Sequence, residues 1–197
     1  MKKKSVIGTL VILSLFLIGG LLVGPMMSQV ENPTYKVTSS LESIEIRAYE
    51  PMIVAEIEVQ GERKQALKRG FRLLADYIFG NNTAKHKIAM TAPVQQHVSQ
   101  DGWTVSFVMP SLYNMISIPQ PHNKDVVLKE IPAKHFIAIQ FSGMNSDANI
   151  HKHKKKIMKY ITHHNIKIVG PIYYAFYNPP WTLPFMRRNE IIIEIKE

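Results

Sequence analysis

A chain of 197 residues, 46% hydrophobic and 20% charged, suits one packed domain plus a short extra segment, and nothing in its composition points to disorder. It contains no cysteine, which excludes disulfides, thiolate-bound zinc, iron–sulfur clusters, thiolate catalysis, covalent haem attachment through Cys-x-x-Cys-His and an acylated lipoprotein anchor. The formal charge is +9; beyond Lys2, Lys3 and Lys4 there are 21 basic and 15 acidic groups, a mild balance of +6 that permits attraction to anions without selecting among them.

Lys2-Lys3-Lys4 precedes an uncharged stretch of 18 residues, Val6–Val23. This reads as an export or insertion signal. The stretch just reaches the length of a spanning helix, and no A-x-A cleavage site follows it. An uncleaved anchor is therefore preferred over a cleaved signal peptide. In both cases the lysines stay in the cytoplasm and the domain is delivered across the membrane. The division is residues 1–30 for this segment and 31–197 for the folded domain.

From Glu31 onward short strands alternate with two amphipathic helices. Ser43–Tyr49 alternates, and Pro51 breaks it. Met52–Gln60 resumes the alternation and Gly61 ends it. Glu62–Phe79 carries Leu67, Phe71, Leu74 and Ile78 at helical spacing, and Gly80-Asn81-Asn82 stops that helix. Two strands are expected in Lys87–Val98, split around Pro93, and another in Thr104–Met109. Ser111–Lys124 reads as a long loop. Val126–Ile131 and His135–Phe141 are strands, Ser146–His164 is a helix, and Tyr173–Tyr177 and Glu190–Lys196 close the chain around the proline-rich Asn178–Pro184.

The order strand–Gly–helix–strand–strand occurs twice. Each half needs its helix to cover a sheet face, and two such halves share a sheet or close a distorted barrel. The expected fold is thus α+β: two βαββ-type repeats, a distorted antiparallel barrel or sheet, and two long helices. A cleft between the halves is the natural ligand position.

No catalytic motif is present: no G-x-S-x-G, H-E-x-x-H, P-loop or G-x-G-x-x-G. Glu190, at a strand start, is expected to be exposed, with a buried carboxylate facing the cleft as the alternative. On the second helix, His153 and His164 fall near the Ile150, Ile157 and Ile161 stripe, about 16 Å apart along the axis, so they cannot share one metal ion. The run from His151 to Lys156 reads as a solvated basic face, or one that meets anionic lipid. No nucleic-acid partner is expected of an exported domain.

Four segments carry a resemblance. They are IEIRAYEP (Ile44–Pro51), FRLLADYIFGNN (Phe71–Asn82), KIAMTAPV (Lys87–Val94) and YNPPWTLPFMRRNEI (Tyr177–Ile191). In this order, across Tyr35 to Lys196, they resemble the SOUL haem-binding family. The resemblance implies the same two-repeat α+β fold, related to effector-binding modules of bacterial regulators. It also implies noncovalent binding of haem or another tetrapyrrole, with no settled enzymatic activity. The function expected is that of a carrier, buffer or scavenger. The alternatives are a small-molecule hydrolase or tetrapyrrole-modifying enzyme on the same fold, and an envelope domain that binds a partner and no small ligand.

A haem slot needs apolar surface, cations for the propionates and, optionally, an axial ligand. Phe71, Leu74, Ile88 and Met90 supply surface from the first half. Tyr174, Phe176, Trp181, Phe185 and Met186 supply it from the second. Arg187 and Arg188 are the candidate propionate partners. Where the family has a proposed axial histidine, in the E-I-R-H-Y position, this chain has Ala48. His86, His153 and His164 are the substitutes available, and Met90 is a conceivable soft ligand.

Overall fold

The computed structural model describes residues 30–196. The segment read as a membrane anchor lies outside these residues. Among the described residues no helix is long and apolar enough to cross a membrane.

Nine strands and two helices follow one another: β1 (Tyr35–Leu41), β2 (Ile44–Tyr49), β3 (Met52–Val59), α1 (Arg63–Ile78), β4 (Val94–Val98), β5 (Trp103–Val108), β6 (Val127–Ile131), β7 (Lys134–Phe141), α2 (Asp147–His163), β8 (Ile168–Phe176) and β9 (Asn189–Ile195). The strands form one antiparallel sheet in the order β1-β2-β7-β9-β8-β4-β5-β3-β6. The terminal strands β1 and β6 do not pair with each other, so the sheet is open and not a barrel.

The expected repeat is visible in that order. Each half folds as β3-α1-β4-β5 or β7-α2-β8-β9, and the halves join antiparallel where Val94, Gln95 and Gln96 meet Phe176, Ala175 and Tyr174. The repeat is also longer than expected. β2, which precedes β3, pairs with β7 of the other half, and β6, which precedes β7, pairs with β3. Each half therefore lends a strand to its partner's edge. Gly61 and Gly143 stand at equivalent places between strand and helix, with φ of +103° and +100°, a region that favours glycine.

Alternation decides which face each side chain joins. Ile57 and Val105 face α1, with Leu74, Tyr77 and Ile78 packed onto them. Ile137, Ile139, Ile191 and Ile193 face α2 and meet Ile150, Ile157 and Ile161. Both helices thus cover the same side of the sheet, one per half. The opposite side carries a smaller cluster of Tyr49, Phe136, Ala138, Ala175 and Ile192.

The helices are anchored together where they begin. Arg63 Nε donates to Asp147 Oδ1 at 2.8 Å and its Nη2 to the Asn145 carbonyl at 2.7 Å. Gln96, fully buried beneath, donates to the Arg63 carbonyl at 2.8 Å. Ser146 caps α2 by accepting from the Asn149 amide at 3.3 Å.

Two expectations change. β1 was not foreseen, because its residues Lys36 to Leu41 are exposed and show no buried alternation. The segment before Pro93 is not a strand of the sheet. Ile88 N bonds to the Ile78 carbonyl at the end of α1, and Ala92 N bonds to Glu31, so its backbone bonds go outside the ladders. Ile88 and Met90 alternate because one is buried in the core of the first half and the other packs against it.

Gly70 sets the approach of α1. A methyl group placed there would lie 2.6 Å from Val105 Cγ2 and 2.7 Å from its Cβ. In an open helix, Gly→Ala gains about 1 kcal/mol. Here overpacking outweighs that gain, and Gly70→Ala is expected to lose about 1–3 kcal/mol in urea unfolding. The loss should shrink in a Val105→Ala background. A Gly70→Ala variant more stable than the parent would refute the close approach.

Candidate functional site

One register row crosses both halves on the helix side: Ala55, Phe107, Val94, Phe176, Asn189 and Phe141, on β3, β5, β4, β8, β9 and β7. The row passes under the gap between the helices. On one flank Phe71 of α1 meets Phe107 edge-on, with ring centroids 5.4 Å apart. On the other flank His153 of α2 stacks on Phe141 at 4.2 Å and 8°. Four strand spacings separate β5 from β7, roughly 19 Å at the usual interstrand distance. Val94 and Phe176 form the floor between them and are half-buried.

The loop joining β8 to β9 rises from the end of that floor. Three prolines, Pro179, Pro180 and Pro184, restrict it. Arg187 binds it internally, donating from Nε to the Thr182 carbonyl at 2.7 Å and from Nη2 to the Pro180 carbonyl. The Arg188 amide donates to Asn178 Oδ1 at 2.6 Å, and the Gly143 amide to the Pro184 carbonyl at 2.8 Å. A loop so tied still leaves Trp181 65% exposed, Phe185 71% and Leu183 46%. Met144, beside the Gly143 contact, is exposed as well.

Beside this loop lies a depression of about 660 Å³, lined by Phe141, Asn149, Lys152, His153 and the stretch Phe185–Arg188, with Gln140 and Ser142. That volume is within the range of ordinary ligand sites. Lys152 is exposed and has no ion-pair partner among the described residues. The basic helix face is otherwise solvated, with Lys156 held by Glu42 at 2.7 Å.

The expected site residues therefore fall into distinct groups. Leu74 and Ile88 are interior, and Met90 packs against the same core. Tyr174 is interior and Phe176 lies beside it. Phe71, Trp181 and Phe185 present surface to solvent, and Met186 is half-buried beside them. Among the histidines only His153 lines the depression. His86 is exposed after α1, and His164 is exposed at the end of α2. Met144, Leu183, Phe141 and Lys152 join the site without having been singled out. Leu183 and Lys152 stood in segments already noted, but neither segment signalled which side chains would be presented together. Among the described residues no group of three His, Asp or Glu side chains could hold a metal ion.

Arg188 edges the depression, but its guanidinium, with Glu190, belongs to a different feature on the opposite side of the sheet. Glu190 is completely buried. Arg47 clamps it with two hydrogen bonds, Nη1 to Oε2 at 2.8 Å and Nη2 to Oε1 at 3.0 Å. Arg188 donates to Oε1 from Nη2 at 2.8 Å and from Nε at 3.0 Å, and the Tyr177 hydroxyl donates to Oε2 at 2.8 Å. Tyr35 lies under the Arg47 guanidinium at 4.4 Å, and Tyr177 under that of Arg188 at 3.9 Å.

Burial alone pushes the Glu190 carboxyl up. The Arg47 hydrogen bonds and charge, then Arg188 and the Tyr177 hydroxyl, outweigh burial and hold it below its ordinary value. Burial is also the main cause that raises the Tyr49 phenol, to about 12. The expectation that Glu190 is exposed is overturned, because its partner Arg47 stands 143 residues away in sequence. The carboxylate is saturated by donors, and Arg188 is committed to it rather than free for a ligand carboxylate.

Human heme-binding protein 2 is 30% identical over 176 residues, covering 82% of this chain and 84% of that protein. The mouse protein of the same name is 27% identical over 194 residues, covering 87% and 89%. Among solved structures, the C-terminal domain of EcmrR superposes with a TM-score of 0.59 at 9% identity, over 80% of this chain and 99% of that one. A hydrolase from Listeria innocua superposes with a TM-score of 0.55 at 10% identity, over 81% and 94%. At such identities these two structures speak for the fold alone. The profile described as SOUL heme-binding protein matches residues 30–194, nearly all of the described domain, and the chain belongs to the SOUL family.

Proposed function

We propose that this chain binds haem or another tetrapyrrole noncovalently on the helix side of the sheet. The observation that carries the reading is the set of large apolar side chains, Trp181, Leu183 and Phe185, exposed to solvent on a loop tied by its own hydrogen bonds. Scattered exposed apolar residues are ordinary, but a contiguous group beside a depression marks a binding surface. A flat apolar macrocycle gains by covering these side chains, Phe71 and the half-buried floor of Val94 and Phe176.

The residues present also fit the polar edge of such a ligand. Lys152 offers an exposed cation, and Arg187 offers a guanidinium fixed by two loop carbonyls. Both suit carboxylates such as propionates. Family membership and the name of the human and mouse relatives point to the same ligand class. The role in this reading is carriage or buffering, without chemistry on the ligand.

Titration of the full chain with ferric haem and with metal-free protoporphyrin, followed by absorption, tests this. One-to-one saturable binding is expected for both. A basic protein of matched charge controls for nonspecific adhesion. If neither ligand saturates beyond that control, the tetrapyrrole reading is wrong.

A further inference from the structure

We propose that His153 is the axial iron ligand for haem held against the depression beside the β8–β9 loop. This rests on the tetrapyrrole reading and adds a metal ligand to it. Neutral imidazole can bind iron only through the nitrogen that carries no proton. His153 Nδ1 lies 2.8 Å from the Asn149 carbonyl oxygen. A carbonyl only accepts, so Nδ1 carries the proton and the lone pair is on Nε2. Metal-binding histidines are commonly held this way, with one nitrogen donating to a backbone carbonyl and the other left for the metal.

Three further observations converge on this ring. The stack on Phe141, nearly parallel at 8°, fixes its plane. It lines the same concavity as Phe185, Met186, Lys152 and Arg187, so apolar contact, positive charge and a nitrogen donor share one place. No hydrogen bond to Nε2 occurs among the described residues.

The other candidates lack this combination. His164 bonds the Tyr160 carbonyl at 2.9 Å and stacks on Tyr160, but it is exposed at the C-terminal end of α2. His86 is exposed in the segment after α1. Ala48 has no ligating atom. The nitrogen donor thus comes from a helix rather than from β2.

The test compares the full chain with His153→Ala, using ferric haem and metal-free protoporphyrin separately. His153→Ala is expected to weaken ferric haem binding by roughly tenfold or more. It should also abolish the absorption and electron-spin signature of imidazole-bound iron, while protoporphyrin, which has no iron to ligate, should lose clearly less affinity than haem. Free imidazole should restore the signature, and His164→Ala should alter nothing. His153→Phe, which can keep the stack on Phe141 but has no lone pair, should behave like the alanine variant.

An unchanged haem spectrum and affinity in His153→Ala overturns the ligand assignment and leaves tetrapyrrole binding standing. Loss of protoporphyrin binding in both variants makes His153 a packing residue and also overturns the assignment. Failure of the parent chain to bind either molecule overturns the tetrapyrrole reading itself, and the assignment with it.

Discussion

Glu190→Gln is expected to destabilise the domain by about 3–5 kcal/mol, because it removes the buried carboxylate shared by Arg47 and Arg188 and leaves Arg47 only the partly exposed Glu45, 2.7 Å from its Nε. The Arg47 side chain is only 1% exposed and directs two nitrogens at Glu190, so solvent cannot take over. Arg47→Met should cost about as much for the converse reason, by leaving a buried carboxylate with one cation fewer. The double variant should lose clearly less than the two single losses combined, since each single variant already breaks the same Arg47–Glu190 contact and the sum counts that loss twice. Urea unfolding of the four proteins gives the coupling. Strict additivity would mean that the two residues do not act as a pair.

The same group sets an acid limit. The Glu190 carboxyl is held below its ordinary value of 4.5, so its stabilising contribution is complete above that pH and is lost as pH falls through the lower native value. The advantage of the parent chain over Glu190→Gln should therefore be constant near neutrality and shrink only in acid.

This network also explains what the sequence motifs report. Arg47 and Tyr49 come from the IEIRAYEP segment, and Tyr177, Arg188 and Glu190 from YNPPWTLPFMRRNEI. The two meet in one ion-pair cluster. In the FRLLADYIFGNN segment Asn82 is buried and donates to the Tyr77 and His86 carbonyls. In KIAMTAPV, Thr91 donates to the Val108 carbonyl at 2.5 Å. These contacts are architectural, so the motifs announce the fold more directly than the ligand.

Periodicity was sufficient wherever an element has one wet and one dry face. Both helices end within a residue or two of expectation. It failed where no dry face exists, as in β1, or where apolar alternation serves a coil, as in Ile88 and Met90. Tertiary partners are beyond it altogether. Nothing local marks Glu190 as buried, and hydrophobicity alone cannot show that Trp181 and Phe185 stay in solvent while Leu74 does not.

That last distinction yields the second large effect. Leu74→Ala is expected to destabilise the domain by about 2–5 kcal/mol, since Leu74 has no exposed surface and sits among Tyr77, Ile78 and Val105 with little room to relax. Trp181→Ala and Phe185→Ala remove side chains that are mostly in water, so their stability should change by no more than about 0.5 kcal/mol. Porphyrin affinity should show the reverse pattern. The folded Leu74→Ala protein should bind as the parent does, while the loop double variant should bind roughly tenfold or more weakly, a loss of about 1.4 kcal/mol or more. The two readouts separate because a core residue acts through the folded fraction and a contact residue through the bound complex. If the loop variant binds porphyrin as well as the parent, the exposed aromatics are not the ligand surface. If Leu74→Ala alone abolishes binding while still folded, the ligand reaches further between α1 and the sheet than the close packing there allows.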